Sequence, residues 1–156
     1  KLQDTKVLIS KAINDLRDLS RSMHGDRIAE LGLQQSLADE LQILENSGEF
    51  RTRMTITGEP YKLPPQKEMV LFRIAQEALN NVIKYSKAKN ITVTLNYANG
   101  NFSLAVTDDG TGFDLHSKTG IGLKSMQNRA ALIGGRFNLQ SAPGSGTSIT
   151  IELPNP

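Results

Sequence analysis

Residues 91–112 read ITVTLNYANGNFSLAVTDDGTG, and the fold follows from them. Ile91, Val93, Leu95 and Tyr97 alternate with polar residues, Asn99-Gly100 is the strongest two-residue hairpin signal, and Phe102, Leu104 and Val106 alternate in return. The prediction is an antiparallel hairpin with one apolar face. Asp108 shares the parity of Phe102, Leu104 and Val106, so its carboxylate points toward the covered side at the strand's end. A charge there must find donors, because burying it unpaired is costly. Two donors stay open: an adenine exocyclic amine, or a backbone amide of the turn that follows. That turn, Asp109-Gly110-Thr111-Gly112, contains a glycine pair through which backbone amides can approach a ligand.

Downstream, Gly120-Ile121-Gly122-Leu123 repeats the device at a helix start, where unpaired amides and the helix dipole favour an anion. No Rossmann or P-loop fingerprint is completed. The helix runs from about Gly122 to Ile133 and ends at Gly134-Gly135. Two strands, Arg136 to Ser141 and Thr147 to Leu153, flank the turn Ala142-Pro143-Gly144-Ser145-Gly146. Upstream, Pro64-Pro65 opens a long helix with no breaker before Ser86, and Phe50 to Thr57 reads as a strand closed by Gly58-Glu59-Pro60. Asp26 caps a helix carrying Ile28, Leu31, Leu33, Leu37, Leu41 and Leu44, stopped by Asn46-Ser47-Gly48. Before it, Leu2, Ile9, Leu16 and Met23 recur at seven-residue intervals with Thr5, Ala12 and Leu19 between them, which predicts a seam for another helix. This order of elements predicts an α+β two-layer sandwich, with residues 1–24 a helical region and 25–156 a domain.

Composition narrows the function. Eighteen basic and sixteen acidic residues give a net charge of +2, with no basic cluster interleaved with aromatics, so nucleic acid is a poor partner. The absence of cysteine excludes disulfides, thiolate metal sites and a thiol nucleophile, and agrees with a cytoplasmic setting. His24 and His116 are too far apart in sequence to suggest a metal pair by spacing. No segment has the length of a membrane span or the layout of a signal peptide; a membrane link would lie in segments outside this chain, which opens inside a helix as a fragment does.

The long helix carries a second face. At 100° per residue, Leu71, Phe72, Ala75, Ala78, Leu79, Val82 and Ile83 fall on one arc of about 140°, a core-facing stripe. Arg73, Glu77, Asn80, Asn81 and Lys84 fall within about 100° on the other side. A solvated polar face is one reading. Two adjacent asparagines, mediocre helix formers, favour a site instead: an amide oxygen suits Mg²⁺ and a lysine one turn on suits phosphate.

Taken in order, these pieces resemble the ATPase superfamily of gyrase, heat-shock chaperones, histidine kinases and mismatch-repair proteins. Glu77-Ala78-Leu79-Asn80-Asn81-Val82-Ile83-Lys84-Tyr85-Ser86 is similar to its N box, Asp108-Asp109-Gly110-Thr111-Gly112 to its first glycine box, Gly120-Ile121-Gly122-Leu123 to its second and Gly144-Ser145-Gly146-Thr147 to its last. The resemblance covers about Gly32 to Pro154. It implies the Bergerat sandwich, a mixed sheet with helices on one face. Within the superfamily, the short loop between Gly112 and Gly120, Leu31-Gly32-Leu33 with Ser36-Leu37, and Met126, Arg129 and Gly134-Gly135 resemble sensor histidine kinases whose regulators are of the nitrate-response, LuxR type.

The resemblance implies ATP and Mg²⁺ as cofactors. Asp108 would read the adenine amine, Asn81 would hold Mg²⁺, and Lys84 would meet phosphate oxygens. Gly110, Gly112, Gly120 and Gly122 would shape the nucleotide lid, with Ile121 and Leu123 beside them. Asn80 and Tyr85 would complete the N-box side, and Thr147 the adenine side. Glu77 would support the metal, since a kinase delivers phosphate to histidine rather than water. Tyr85 departs from the subgroup, which usually has histidine there. The implied partners are a second copy, through dimerisation helices in the full-length protein, and a response regulator. The phosphoacceptor would lie on a helix absent from this chain: His24 resembles the site after the second dimerisation helix, and His116 falls in the lid. An anti-sigma-factor-type serine/threonine kinase, or a nucleotide-gated interaction module, shares these motifs; the heptad helix argues against the first, and Asn81, Asp108 and the lid glycines argue against a degenerate domain.

Overall fold

A computed structural model describes residues 8, 9, 11–13, 27–112 and 122–156. In chain order these form α1 (Arg27–Asn46), β1 (Arg51–Gly58), α2 (Pro65–Asn81) continued by a π-helical turn (Val82–Ser86), β2 (Asn90–Ala98), β3 (Asn101–Asp108), α3 (Leu123–Leu132), β4 (Arg136–Ser141) and β5 (Thr147–Pro154). The strands make one mixed sheet in the order β1-β2-β3-β5-β4. β1 runs parallel to β2, as a crossover through α2 requires, and the remaining pairs are antiparallel. The expected α+β sandwich is the fold found.

Alternation decides which face is covered. Ile91, Val93, Leu95 and Tyr97 of β2, Phe102, Leu104, Val106 and Asp108 of β3, and Ile149, Ile151 and Leu153 of β5 are all buried. Register sets them in cross-strand rows, such as Leu95–Leu104–Ile151–Phe137 and Ile91–Asp108–Thr147–Ser141. The opposite face carries Thr92, Asn96, Ser103, Thr107, Ser148 and Glu152, which are exposed or half-buried. Against the apolar face α1 packs on β1, α2 on β3 and α3 on β4. Leu71, Ile74, Ala75 and Leu79 of α2 are wholly buried, joined by Leu33, Leu37 and Leu44 of α1. Because the core rows end at Asp108 and Thr147, the sheet presents a polar pair where its apolar cover stops.

Three details depart from the pattern-based expectation. α1 is two helical segments meeting at Gly32, whose φ of 84° and ψ of 171° interrupt the helix. The last turn of the long helix is π-helical, ending at Lys87 in the left-handed region. Near the N-terminus, Ile9 and Ile13 pack on this domain's own core while Ala12 is exposed, so the face bearing Ile9 is turned to the domain. An i, i+4 pair of isoleucines makes a better apolar contact than isoleucine with alanine. The other seam positions, with Asp26 and His24, lie outside the described residues.

Candidate functional site

A cavity opens at the end of the sheet where the core rows finish. Its walls are Ala78, Asn81, Val82, Tyr85 and Ser86 from α2 and the π turn, Val106 and Asp108 from β3, Gly112 from the following turn, Leu123 from α3, and Thr147 and Ile149 from β5. Val106 and Ile149 are register partners, as are Asp108 and Thr147. Two adjacent rungs of the β3–β5 ladder therefore supply an apolar rung and then a polar one. This suits a flat heteroaromatic ring edged by hydrogen-bonding groups.

Asp108 is buried at 6% exposure. Its Oδ1 accepts the Gly110 N–H at 2.8 Å, and the Thr147 backbone amide donates to the same carboxylate. Of the two partners left open by the sequence, the backbone amide is thus present. A carboxylate offers about four lone-pair sites, so two protein donors leave capacity for a third. Burial pushes its pKa above the ordinary range, opposed by the Gly110 amide, raised further by the neighbouring Asp109 charge and lowered by the Thr147 amide. Asp109 turns the other way: its Oδ1 accepts the Lys89 and Asn90 backbone amides and its Oδ2 the Asn90 side-chain amide, all within 2.9 Å. The Asn90 side chain is the main cause holding its pKa below the usual range.

The glycine turn is held by its neighbours. Thr111 N–H donates to the Ser86 carbonyl at 2.6 Å and Gly144 N–H to the Thr111 carbonyl at 2.6 Å. Gly110 lies directly against the Ser86 backbone, where a Cβ would collide with it. Ser86 itself is buried, its Oγ donating to the Val82 carbonyl at 2.9 Å and accepting the Ala88 N–H at 3.1 Å. The π turn, the glycine turn and the β4–β5 turn are thereby fastened into one rim.

Of the five polar helix residues expected to face one site, only Asn81 lines the cavity. Glu77 borders it, its carboxylate lying against Gly122 at the start of α3. Arg73 turns away and donates to Gln76 Oε1 at 3.3 Å, while Gln76 Nε2 donates to Glu40 Oε1 of α1 at 2.8 Å. Asn80 is buried outside the lining, and Lys84 is exposed outside it. The physical reason for Lys84 is the π turn: spacing at 100° per residue fails where hydrogen bonds run from i to i+5, and Tyr85 takes the place on the wall. Gly112, Leu123 and Thr147 line the cavity. Gly120, Ile121 and His116 lie outside the described residues. Sequence reasoning missed Val106, Ile149, Ala78, Val82 and the fastening role of Ser86; the parity of Val106 with Asp108 and of Ile149 with Thr147 could have identified two of them.

Among the described residues no group of three or more His, Cys, Asp or Glu could hold a metal, and no helix is long and apolar enough to cross a membrane. A metal here would draw on the Asn81 amide oxygen together with oxygens of a ligand and water, a hard donor set that suits Mg²⁺.

Comparison with known proteins gives the same reading. Residues 66–156 match the family described as histidine kinase-, DNA gyrase B-, and HSP90-like ATPase. The oxygen sensor histidine kinase NreB of Staphylococcus carnosus (strain TM300) is 30% identical over 150 residues, 94% of this chain and 43% of that protein. The signal transduction histidine-protein kinase/phosphatase DegS of Brevibacillus brevis is 26% identical over 155 residues, 98% of this chain and 40% of that protein. The chain therefore spans less than half the length of these relatives. Full-length ShkA, crystallised with AMPPNP, has a TM-score of 0.66 at 20% identity, over 79% of this chain and 29% of that one, a likeness of fold. With four motifs in order around one cavity and a family match over most of the sheet, the chain belongs to the histidine kinase-, DNA gyrase B- and HSP90-like ATPase family, as an ATP-binding catalytic domain of the sensor histidine kinase type.

Proposed function

We propose that this domain binds ATP with Mg²⁺ and donates the γ-phosphoryl group to a histidine on a dimerisation helix outside these residues, for relay to a response regulator. The observation that carries the reading is the single cavity in which Asn81, Asp108, Thr147 and Leu123 meet beneath a fastened glycine turn. In it, adenine lies between Val106, Ile149 and Ala78, and its exocyclic amine donates to the lone pairs of Asp108 that the protein amides leave over. Asn81 holds Mg²⁺, which neutralises phosphate charge when bound. Glu77 supports that end, at the border with α3, and Lys84 swings in from its exposed position to the phosphate oxygens. Tyr85 forms the outer wall, and Asn80 backs Asn81 from within the helix. Gly120 and Ile121 would contribute to the lid over the nucleotide, with Gly122 leading into α3.

Transfer is then an in-line displacement at the γ phosphorus, the bond to the β–γ bridging oxygen breaking as the acceptor nitrogen attacks. Such a reaction depends on positioning and charge neutralisation. A domain that draws on ATP works on the cytoplasmic side, and dimerisation belongs to the helices upstream. Calorimetric titration with ADP and Mg²⁺ tests the pocket: Asn81→Ala and Asp108→Ala should each lower affinity about tenfold or more, the worth of one charge-assisted hydrogen bond. Unchanged affinity in Asp108→Ala would misplace the adenine. Incubation with γ-labelled ATP tests the donor role: the chain alone should stay unlabelled, and acid-labile, alkali-stable label on His24 would contradict an acceptor located elsewhere.

A further inference from the structure

Among the described residues the sheet has an open edge on the outer side of β1, the first strand in its order. Arg51 N–H donates inward to the Lys89 carbonyl at 2.8 Å. In a regular strand Arg51, Arg53, Thr55 and Thr57 therefore turn their main-chain groups to β2, and Thr52, Met54, Ile56 and Gly58 turn theirs outward. The first outward N–H is capped: Thr52 N–H donates to Glu45 Oε1 of α1 at 2.8 Å, and the Thr52 hydroxyl donates to the same oxygen at 3.2 Å. Met54 and Ile56 have no such cap among the described residues. The loop that follows leads away from them. Gly58 turns at φ 78°, and Tyr61 reaches over the hairpin to donate to the Ala98 carbonyl at 2.7 Å and to pack edge-on against Tyr97. Ile56, 41% exposed, is thus a large apolar side chain beside unpaired main-chain groups. Natural edge strands are usually blunted against pairing, and here only the Thr52 end is.

We infer that β1 pairs with β1 of a second copy, antiparallel about a two-fold axis at Thr55, so that the two sheets join edge to edge. The strand is complementary to itself in that register. Met54 meets Ile56 of the second copy, and they exchange both main-chain hydrogen bonds, once on each side of the axis. The Glu45 caps bound the paired stretch at its two ends. Met54 and Ile56 are the register partners of Val93 and Leu95, so pairing covers the exposed Ile56 and extends the apolar rows of the core face. On the other face Thr55 meets Thr55, Arg53 meets Thr57, and Arg51 comes to the end where the second copy carries Glu59, the residue after its strand. Neighbouring registers fit less well. Centred on Met54, the pairing needs the Thr52 N–H that Glu45 already holds; centred on Ile56, it sets Met54 against Gly58, which has no side chain to cover it. An unrelated extended peptide would satisfy the main chain but would not bring an acid to Arg51. No β1 residue lines the nucleotide cavity, so the pairing leaves it open. The contact is small beside the roughly 1,200 Å² that stable interfaces bury, so association through it alone is weak, on the order of 0.1 mM or weaker.

The absence of native cysteine lets disulfide cross-linking read the register directly. Thr55 faces its own copy as a non-hydrogen-bonded pair, with Cα atoms about 4.5 Å apart, a separation that a disulfide spans. Arg53 lies opposite Thr57, so the two copies of Arg53 stand about 13 Å apart along the strands, too far to bridge. In a glutathione redox buffer, Thr55→Cys should form covalent dimer at about fivefold or more the yield of Arg53→Cys or Thr57→Cys alone. An equimolar mixture of those two variants should recover cross-linking, as the heterodimer, to within about twofold of the Thr55→Cys yield. Equal yields from the three single variants, or a mixture no better than its components, overturns the pairing. So does a Thr55→Cys chain that stays monomeric, the result expected if the edge takes some other extended segment. In the Thr55→Cys chain, Arg51→Glu should lower the yield about threefold and Glu59→Arg added to it should restore it; a loss that is not restored overturns this register. A denaturation midpoint equal to the parent's shows each variant folded, so the outcome does not depend on nucleotide binding. Should Thr55→Cys fail to fold, the mixture carries the test, since Arg53 and Thr57 are both exposed.

Discussion

Asp108 and Asp109 are neighbours whose carboxyl groups are pushed in opposite directions, and the consequences for pH are opposite. Burial raises Asp108 in the folded state. Between its unfolded and folded values the native protein binds more protons than the unfolded chain, so its contribution grows as pH falls and its ionised form costs stability at neutral pH. Asp109 is lowered by the Asn90 contacts; its contribution is present above the unfolded value and lost as pH falls through the folded one. Ligand binding follows Asp108, because a protonated carboxyl presents an O–H where the adenine amine needs an acceptor. ADP affinity measured by calorimetry should weaken as pH falls through the raised Asp108 value, and Asp108→Asn should flatten that component. The same variant should lower ADP affinity by about tenfold or more while moving unfolding free energy by about 1 kcal/mol or less, since charge removal offsets an amide facing the Thr147 donor. Parallel loss of affinity and stability in denaturant titrations would make Asp108 a structural residue only. The sequence reached Asp108 through parity, which a regular strand preserves to its last residue. It could not choose between adenine and amide as donor, because both satisfy the same buried acceptor.

At the scale of elements, the hairpin was legible because Asn99-Gly100 and two alternating runs agree on one register. The end of α2 was not. A π turn has no composition of its own, and extrapolating α-helical spacing past Asn81 put Lys84 on the same arc as Asn81, whereas the structure has it exposed outside the cavity wall. The kink at Gly32 was also hidden, since the apolar positions on either side continue to look helical. What stabilises the π turn is Ser86, whose hydroxyl and carbonyl hold Val82, Ala88 and Thr111 together. Ser86→Ala should cost about 1–3 kcal/mol, because it leaves the buried Ala88 amide without its acceptor. Thermal and denaturant unfolding would measure it. The carbonyl bond to Thr111 survives the substitution, so ADP affinity should fall by only about threefold, a shift of less than 1 kcal/mol. Gly110→Ala attacks the same junction by collision with the Ser86 backbone and should abolish ADP binding. If Ser86→Ala were silent in stability, the rim would be held by the glycine turn alone.

At the scale of the molecule, the boundary read from the sequence at residues 24 and 25 meets a complication in Ile13, which is 3% exposed and belongs to the core cluster, with Ile9 packed against it. The cavity walls lie entirely between Ala78 and Ile149. Ile9 and Ile13 thus cover the core without reaching the pocket. Removing residues 1–24 should separate the two properties. Loss of one buried isoleucine and part of another removes about 2–4 kcal/mol of apolar burial, visible as a lower denaturation midpoint. ADP affinity should stay within about twofold at temperatures where the shortened chain is folded, because none of the described residues among those lost lines the cavity. Sedimentation of the same sample tests the proposed dimerisation: if the exposed face beside Ala12 meets a partner helix, the shortened chain should be monomeric at concentrations where the parent associates. An unchanged denaturation midpoint would mean that Ile13 contributes nothing to the domain. A fall in ADP affinity at full folding would move the boundary inside the first helix and make these residues part of the nucleotide-binding unit.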